Sequence, residues 1–279
     1  MEIKCWGSRG SIPVSGDEYL KYGGDTTCIE ITAQTGETII VDAGTGLRRL
    51  GNSFIERDIT RYYFLFTHAH WDHILGIAFF RPFLYKKVQA FIQDRKFAGI
   101  NTQNVLNEVM KQPFFPISSK DLNADIKFDK SLNNKFNIGS ISVESIEVSH
   151  FGGCLGYKFI ENGKSFVFIT DNELGFDHPE SKGIKAHLRF AQDADLLFHD
   201  GEYTKNEYKR KITWGHSSVP EVLDFAQRAN VARLGLFHLN QDRTDAQVDK
   251  IVDKCKIELK KTKSNIDCFA VACNFGITL

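Results

Sequence analysis

The 279-residue sequence predicts an α/β protein in which two sheets, each faced by helices, form one unit. Short β-branched and aromatic runs, punctuated by glycine turns, fall into two groups, with helical patterns after each. The chain is 42% hydrophobic, with six prolines and no low-complexity tract, so it can bury a substantial core and intrinsic disorder is excluded.

In order, MEIKCWG, TTCIEIT and ETIIVDAGTG read as strands, the last a β-branched run over Thr38 to Val41 that ends in Asp42. After the strand RYYFLF, the segment WDHILGIAFFRPFLY reads as a buried helix stopped at Arg81-Pro82, because proline disfavours helix in the residue before it. Between 83 and 135, strand-like KVQAFI and helical TQNVLNEVMKQ precede the polar stretch SSKDLNADIKFDKSLNNKFN. That composition marks 83–135 as the most mobile part of a single domain spanning 1–279, a lid or a dimer interface. Strands resume with SISVESIEVSH, with CLGYKFIENGKSFVFITD, whose Asn162-Gly163 pair signals a hairpin, and with DLLFHDGEY. The helix VPEVLDFAQRAN precedes the strand RLGLFHLN, and the helix TDAQVDKIVDKCKIELKK precedes CFAVAC.

Lysine plus arginine balance aspartate plus glutamate at 35 each, so no global charge draws a large polyanion. Lys254, Lys256, Lys260, Lys261 and Lys263 scatter around a helix and read as a solvated face. Six cysteines form no C-x-x-C pair and sit among apolar residues, as buried thiols in a reducing compartment do. With no signal-like opening and no apolar run of membrane-spanning length, a cytoplasmic protein without a membrane partner is expected.

The densest chemistry lies in FTHAHWDHILG, where His68, His70, Asp72 and His73 fall within six positions after an apolar strand. On a helix these would point in widely different directions, so they belong to a loop. There His68 and His70, two apart, share a side while Asp72 and His73 face another centre, a layout for two adjacent cations. Imidazoles with carboxylates suit zinc, with manganese or iron as competitors.

THAHWDH resembles the H-x-H-x-D-H signature of the metallo-β-lactamase fold superfamily of metal-dependent hydrolases, and the likeness runs almost end to end. It implies a four-layer αββα sandwich with the metals at one edge between two mixed sheets. By the same resemblance Asp42 hydrogen-bonds to the metal loop. His150 in VSHFGG, Asp171 in FVFITDNE and His238 in LGLFHLN complete the ligands. His68, His70 and His150 would hold one cation, Asp72, His73 and His238 the other, and Asp171 would bridge them. A hydroxide between the two is the expected nucleophile, with Asp72 among the catalytic residues as well as the ligands.

Fold alone selects no substrate. DLLFHDGEY ends a strand in His199-Asp200, and His216 follows in WGHSS, an arrangement that resembles the ribonuclease Z and small-phosphodiesterase branch. A phosphodiester expels an alkoxide, a poor leaving group that a positioned imidazolium can protonate. His216 is therefore read as the general acid and Asp200 as its partner, with Glu202 a less favoured substitute. GHSS reads equally as a helix N-cap, with Glu221 in the first turn. The segments WGSRGSIPV and YGGDTTC resemble this branch's glycine- and serine-rich opening, and with the GHSS turn they make Ser8, Ser11 and Ser217 candidate substrate contacts; two tight turns explain those segments as well.

Two departures narrow the expectation. The tRNA-processing members carry a long arm between the third-motif histidine and the bridging aspartate, whereas here 21 residues separate His150 from Asp171. Leu239-Asn240 stands where many relatives have a histidine and an aspartate. A small phosphodiester such as a cyclic nucleotide leads, with short RNA as the alternative. A thioester or lactone hydrolase, an iron-dependent redox protein and a non-catalytic metal-binding regulator are the competing classes, and a homodimer is compatible with the family.

Overall fold

The computed structural model describes residues 1–279. The first half runs β1 (Glu2–Gly7), β2 (Cys28–Thr32), β3 (Thr38–Val41), α1 (Leu47–Glu56), β4 (Arg61–Leu65), α2 (Trp71–Ile74), β5 (Gln89–Gln93), the two-residue strands β6 (Lys96–Phe97) and β7 (Ile100–Asn101), α3 (Thr102–Val109) and β8 (Asp125–Asp129). The second runs β9 (Lys135–Ile138), β10 (Ile141–Val148), β11 (Cys154–Glu161), β12 (Lys164–Ile169), α4 (Ile184–Ala191), β13 (Leu196–Asp200), α5 (Lys205–Tyr208), α6 (Val219–Arg228), β14 (Arg233–Phe237), α7 (Asp245–Lys261), β15 (Asp267–Ala270) and β16 (Gly276–Thr278).

Two seven-stranded mixed sheets result, ordered β16-β1-β2-β3-β4-β5-β8 and β15-β14-β13-β12-β11-β10-β9. In each, a parallel run (β3-β4-β5-β8 and β12-β13-β14-β15) is extended by antiparallel strands. The alternation of strand side chains explains the layering. Ile39 and Val41 of β3, Leu65 of β4 and Phe166 and Phe168 of β12 enter the core between the sheets. Ile40, Tyr62 and Phe64 turn outward onto α1 and α3, and Val167 and Ile169 outward onto α6 and α7. Helices, sheet, sheet and helices make the four-layer αββα sandwich.

Two sequence expectations change. The predicted helix after the histidine loop is a single turn, α2, followed by 3-10 turns at Leu75–Phe79 and Arg81–Leu84. Its ladder breaks because the carbonyl of His73 accepts from the Ala43 N–H at 2.6 Å and the Gly76 N–H donates to Ala43 at 2.8 Å, which pins the turn to the end of β3. The polar stretch at 118–137 carries strand structure, since β8 pairs in parallel with β5 and β9 with β10. The excursion from the sandwich narrows to residues 94–124. No helix is long and apolar enough to cross a membrane, and all six cysteines are free.

Candidate metal centre and active site

The chemistry-bearing residues converge where α/β sheets bind ligands, beyond the carboxyl ends of parallel strands. Asp42 follows β3, His68 and His70 follow β4, Asp171 follows β12, Asp200 ends β13 and His238 follows β14. Asp42, Asp171 and His238 adopt φ values of 60°, 49° and 52°. Such left-handed conformations cost a non-glycine residue on the order of 1 kcal/mol and cluster at functional sites. Here they turn each side chain sharply off its strand.

Two groups of donors form. His68, His70, His150 and Asp171 bring ligand atoms within 4.8 Å of one another, and so do Asp72, His73 and His238. Asp171 lies between them: Oδ1 is 3.3 Å from His73 Nε2, and Oδ2 is 3.5 Å from His68 Nε2, 3.6 Å from His238 Nε2 and 3.8 Å from His150 Nε2.

These residues fit divalent cations. Nδ1 of His73 donates to Asp42 Oδ2 at 2.8 Å, Nδ1 of His238 to Glu202 Oε2 at 3.0 Å, and Nδ1 of His150 to the Gly215 carbonyl at 2.9 Å. An acceptor at Nδ1 fixes the tautomer that turns the Nε2 lone pair toward the centre. Nε2 of His68 and of His73 are buried without a hydrogen-bond partner, which is rare in folded proteins. In neutral His73, Nε2 faces the carboxylates of Asp171 and of Asp72, the latter at 3.4 Å, an arrangement that needs positive charge between. The local electrostatics agree: burial opposes charge on His73, yet the carboxylates of Asp72, Asp171 and Asp42 push its imidazole well above the usual value. Burial and neighbouring imidazoles hold His68 well below it, in the neutral form that ligates. Imidazole and carboxylate donors of this kind suit zinc, manganese or iron.

Asp42 also accepts from the Thr67 N–H and hydroxyl, both at 2.7 Å, and so anchors the loop from β3. His216 donates from Nδ1 to Asp200 Oδ2 at 3.0 Å. Its ring stacks on His238 at 4.7 Å, and a ring nitrogen lies within 4.8 Å of the donor atoms of Asp171 and His238. Burial would lower its pKa, but Glu202 and the bond to Asp200 raise it above the ordinary imidazole value. Glu202 does not replace Asp200: it holds Nδ1 of His238 and lies 3.6 Å from His216 Nε2. The helix-cap reading of GHSS holds at the same time, since Ser218 and Glu221 form a capping box on α6.

The serine candidates divide. Ser8 is fully buried, with its hydroxyl enclosed, and Ser217 spends its hydroxyl on the Asn172 carbonyl at 2.5 Å and the Leu174 N–H at 3.0 Å. Neither is presented to a substrate. Ser11 is exposed beside Asp72, but its N–H donates to Asp72 Oδ2 at 2.8 Å, and the Gly10 N–H is taken by Leu239. The opening segment therefore supports the candidate ligands Asp72 and His238, with the Ser11 and Gly10 N–H groups already taken. Gly10 packs so closely that a Cβ there would come within 2.2 Å of the His238 ring.

Glu173, Gly215 and Arg9 support the site without a role read from the sequence, and Asn240 gains one. Glu173 is buried and accepts from the Thr213 N–H at 2.7 Å, Tyr208 hydroxyl at 2.8 Å, Gly215 N–H at 2.8 Å and His178 Nε2 at 3.0 Å. It thereby fixes the loop that carries His216 and, through Gly215, the ring of His150. Gly215 has φ 85°, and a Cβ there would lie 2.1 Å from His150 Nδ1. Asn240, the apparent departure after His238, donates to Glu202 Oε1 at 3.1 Å. Arg9, buried, binds the carbonyls of Gly23, Asn240 and Arg243. An acidic residue two positions after Asp171 was the only hint of Glu173.

The profile of the Beta-lactamase superfamily domain matches residues 37–239. A ribonuclease Z from Archaeoglobus fulgidus is 22% identical over 86% of this chain and 87% of its own length. The metallo-beta-lactamase fold protein YhfI from Bacillus subtilis superposes over 99% of both chains with a TM-score of 0.68 at 13% identity. A diphosphatase from the PhnP family superposes over 100% of this chain and 97% of its own with a TM-score of 0.67 at 15% identity. The chain thus belongs to the beta-lactamase superfamily, with the metallo-β-lactamase fold and a likeness to its ribonuclease Z branch.

Proposed function

We propose that this metal-dependent hydrolase cleaves a small phosphodiester, such as a cyclic nucleotide, with His216 as general acid and Asp200 as the carboxylate that supports it. The observation that carries the reading is the His216 imidazole, bonded to Asp200 at 3.0 Å and stacked on the candidate ligand His238. Two divalent cations, zinc by donor chemistry, would be held by His68, His70 and His150 and by Asp72, His73 and His238, with Asp171 between; when bound they supply Lewis acidity and an acidified water. Asp200 keeps the proton of His216 on Nδ1 and stabilises the charged ring, so Nε2 can give its own proton to the departing ester oxygen. Glu202 and Asn240 orient His238. Asp42 and Thr67 orient His73, which leaves little reorganisation as charge develops.

A thioester hydrolase would not need this imidazole, because a thiolate leaves without protonation. Short RNA is the second reading, favoured by the ribonuclease Z likeness over most of both chains. Against it, β11 and β12 join through the Asn162-Gly163 turn, with no arm between His150 and Asp171. The test is turnover of zinc-reconstituted protein on cyclic nucleotides, dinucleotides, short RNA and thioesters, with His216→Ala in parallel. Cleavage of small diesters that His216→Ala abolishes while metal content is kept supports the proposal. Equal turnover by the variant, or activity on thioesters alone, overturns it.

A further inference from the structure

Beside the His68-His70 turn lies a cleft of about 410 Å³ in which ten of fourteen lining residues are hydrophobic. Trp71, Ile74 and Phe151 come from the ligand-bearing turns, and Phe97, Ile100 and Phe114 from the 94–124 excursion. Phe151 stacks on His150 at 4.7 Å and 20°, so the aromatic wall is continuous with the candidate metal centre. Trp71 is 62% exposed and Phe114 75%. Apart from the two histidines at its inner edge, the cleft's one polar side chain is Glu108, an acid ion-paired with Lys111. No cation lines it, so it offers nothing to a run of phosphates. Four aromatic faces and edges suit a flat uncharged ring, by offset or edge-to-face contact.

We propose that this cleft receives one organic arm of the substrate, a planar aromatic ring joined through its ester linkage to the phosphate. The proposal rests on the phosphodiester reading above. It gives the 94–124 excursion a role in substrate selection.

The test uses diesters that share one methyl ester and carry a methyl, cyclohexyl, phenyl or thymidine second arm, so that the second arm alone can fill the cleft. Base-to-aromatic stacking is strong enough to predict a KM about tenfold lower for the phenyl or thymidine arm than for methyl, with cyclohexyl between. In Phe114→Ala and Ile100→Ala, both at the exposed rim, that ratio should fall toward one. Thymidine ahead of phenyl assigns a nucleoside arm, and phenyl ahead assigns a plain aryl ester. Equal KM for methyl and phenyl, cyclohexyl matching phenyl, or ratios unmoved in both variants would overturn the proposal. Calorimetric binding of phenyl phosphate against methyl phosphate to the zinc-loaded protein needs no turnover. If no diester is cleaved yet phenyl phosphate binds about tenfold tighter in a Phe114-dependent way, the phosphodiester reading falls and the cleft stands. If diesters are cleaved without arm preference, the cleft proposal falls alone.

Discussion

Glu173→Gln should loosen the active-site loop out of proportion to so small a change. Each Glu173 oxygen accepts two hydrogen bonds: Oε1 from Tyr208 and Thr213, Oε2 from His178 and Gly215. A glutamine amide keeps one oxygen, so whichever way it turns, two buried donors face its NH₂ group. Hydrogen bonds to a charged acceptor contribute about 1.5–3 kcal/mol each, and donors left unpaired add a desolvation cost, so the net loss is about 3–5 kcal/mol. For a chain of this length that lowers Tm by about 6–15 °C. The loss is also directional. Gly215 holds Nδ1 of His150 through its carbonyl, so the site built on His68, His70 and His150 should lose about 10–100-fold in metal affinity. The Asp72, His73 and His238 site, oriented by Asp42 and Glu202, should be spared. Scanning calorimetry with a metal titration reads both effects. A melt within about 1 °C of wild type, or equal weakening at both sites, would refute the loop-anchoring argument.

Other consequences can be measured separately. Asp200→Asn should lower kcat on a small diester by about a hundredfold or more, the range of general acid–base catalysis, with metal content unchanged; full activity would remove Asp200 from the proposed mechanism. Stripping divalent ions with a chelator should lower Tm and zinc should restore it, because cations that bind only the folded state stabilise by about 4 kcal/mol at a thousandfold excess over Kd; an unchanged melt would mean that the buried imidazoles hold no resident cation. Burial works against ionisation of Asp195, yet Lys164 and the Ser165 N–H hold its carboxyl below the ordinary range. Its contribution is thus complete above the unfolded value near pH 4, and it disappears as pH falls through the lower folded value. In metal-free protein, Asp195→Asn should therefore be less stable than wild type above about pH 5 and converge on it in acid, as urea titrations would show; a constant gap down to about pH 2.5 would contradict the ionic origin.

How much could be read before the structure depends on whether a residue's signal is local. His68, His70, Asp72 and His73 occupy one turn, so their spacing states that they converge. The β-branched and aromatic runs likewise declared their strands, because both faces of the parallel segments are buried. The helix after the turn was misread because apolar periodicity at Ile74, Ile77 and Phe80 does not reveal that Ala43, 30 residues earlier, takes the carbonyl of His73. The opening WGSRGS was misread for a related reason. Gly10 does permit a close approach, but to His238, some 228 residues away, and Gly7 permits one to Thr26.

Glu173 sharpens the point, since its four partners lie at positions 178, 208, 213 and 215 and nothing in their spacing suggests a common acceptor. Yet this residue joins the two halves of the chemistry. Through Gly215 it fixes His150, a candidate ligand, and through the same loop it sets the approach of His216 to Asp200. Glu202 makes a similar link, bonded to the candidate ligand His238 and 3.6 Å from the general-acid candidate His216. The candidate ligands and the candidate general acid therefore share their supports. A substitution in either carboxylate should change metal affinity and turnover together, whereas one in the aromatic cleft should change substrate preference without moving the metals.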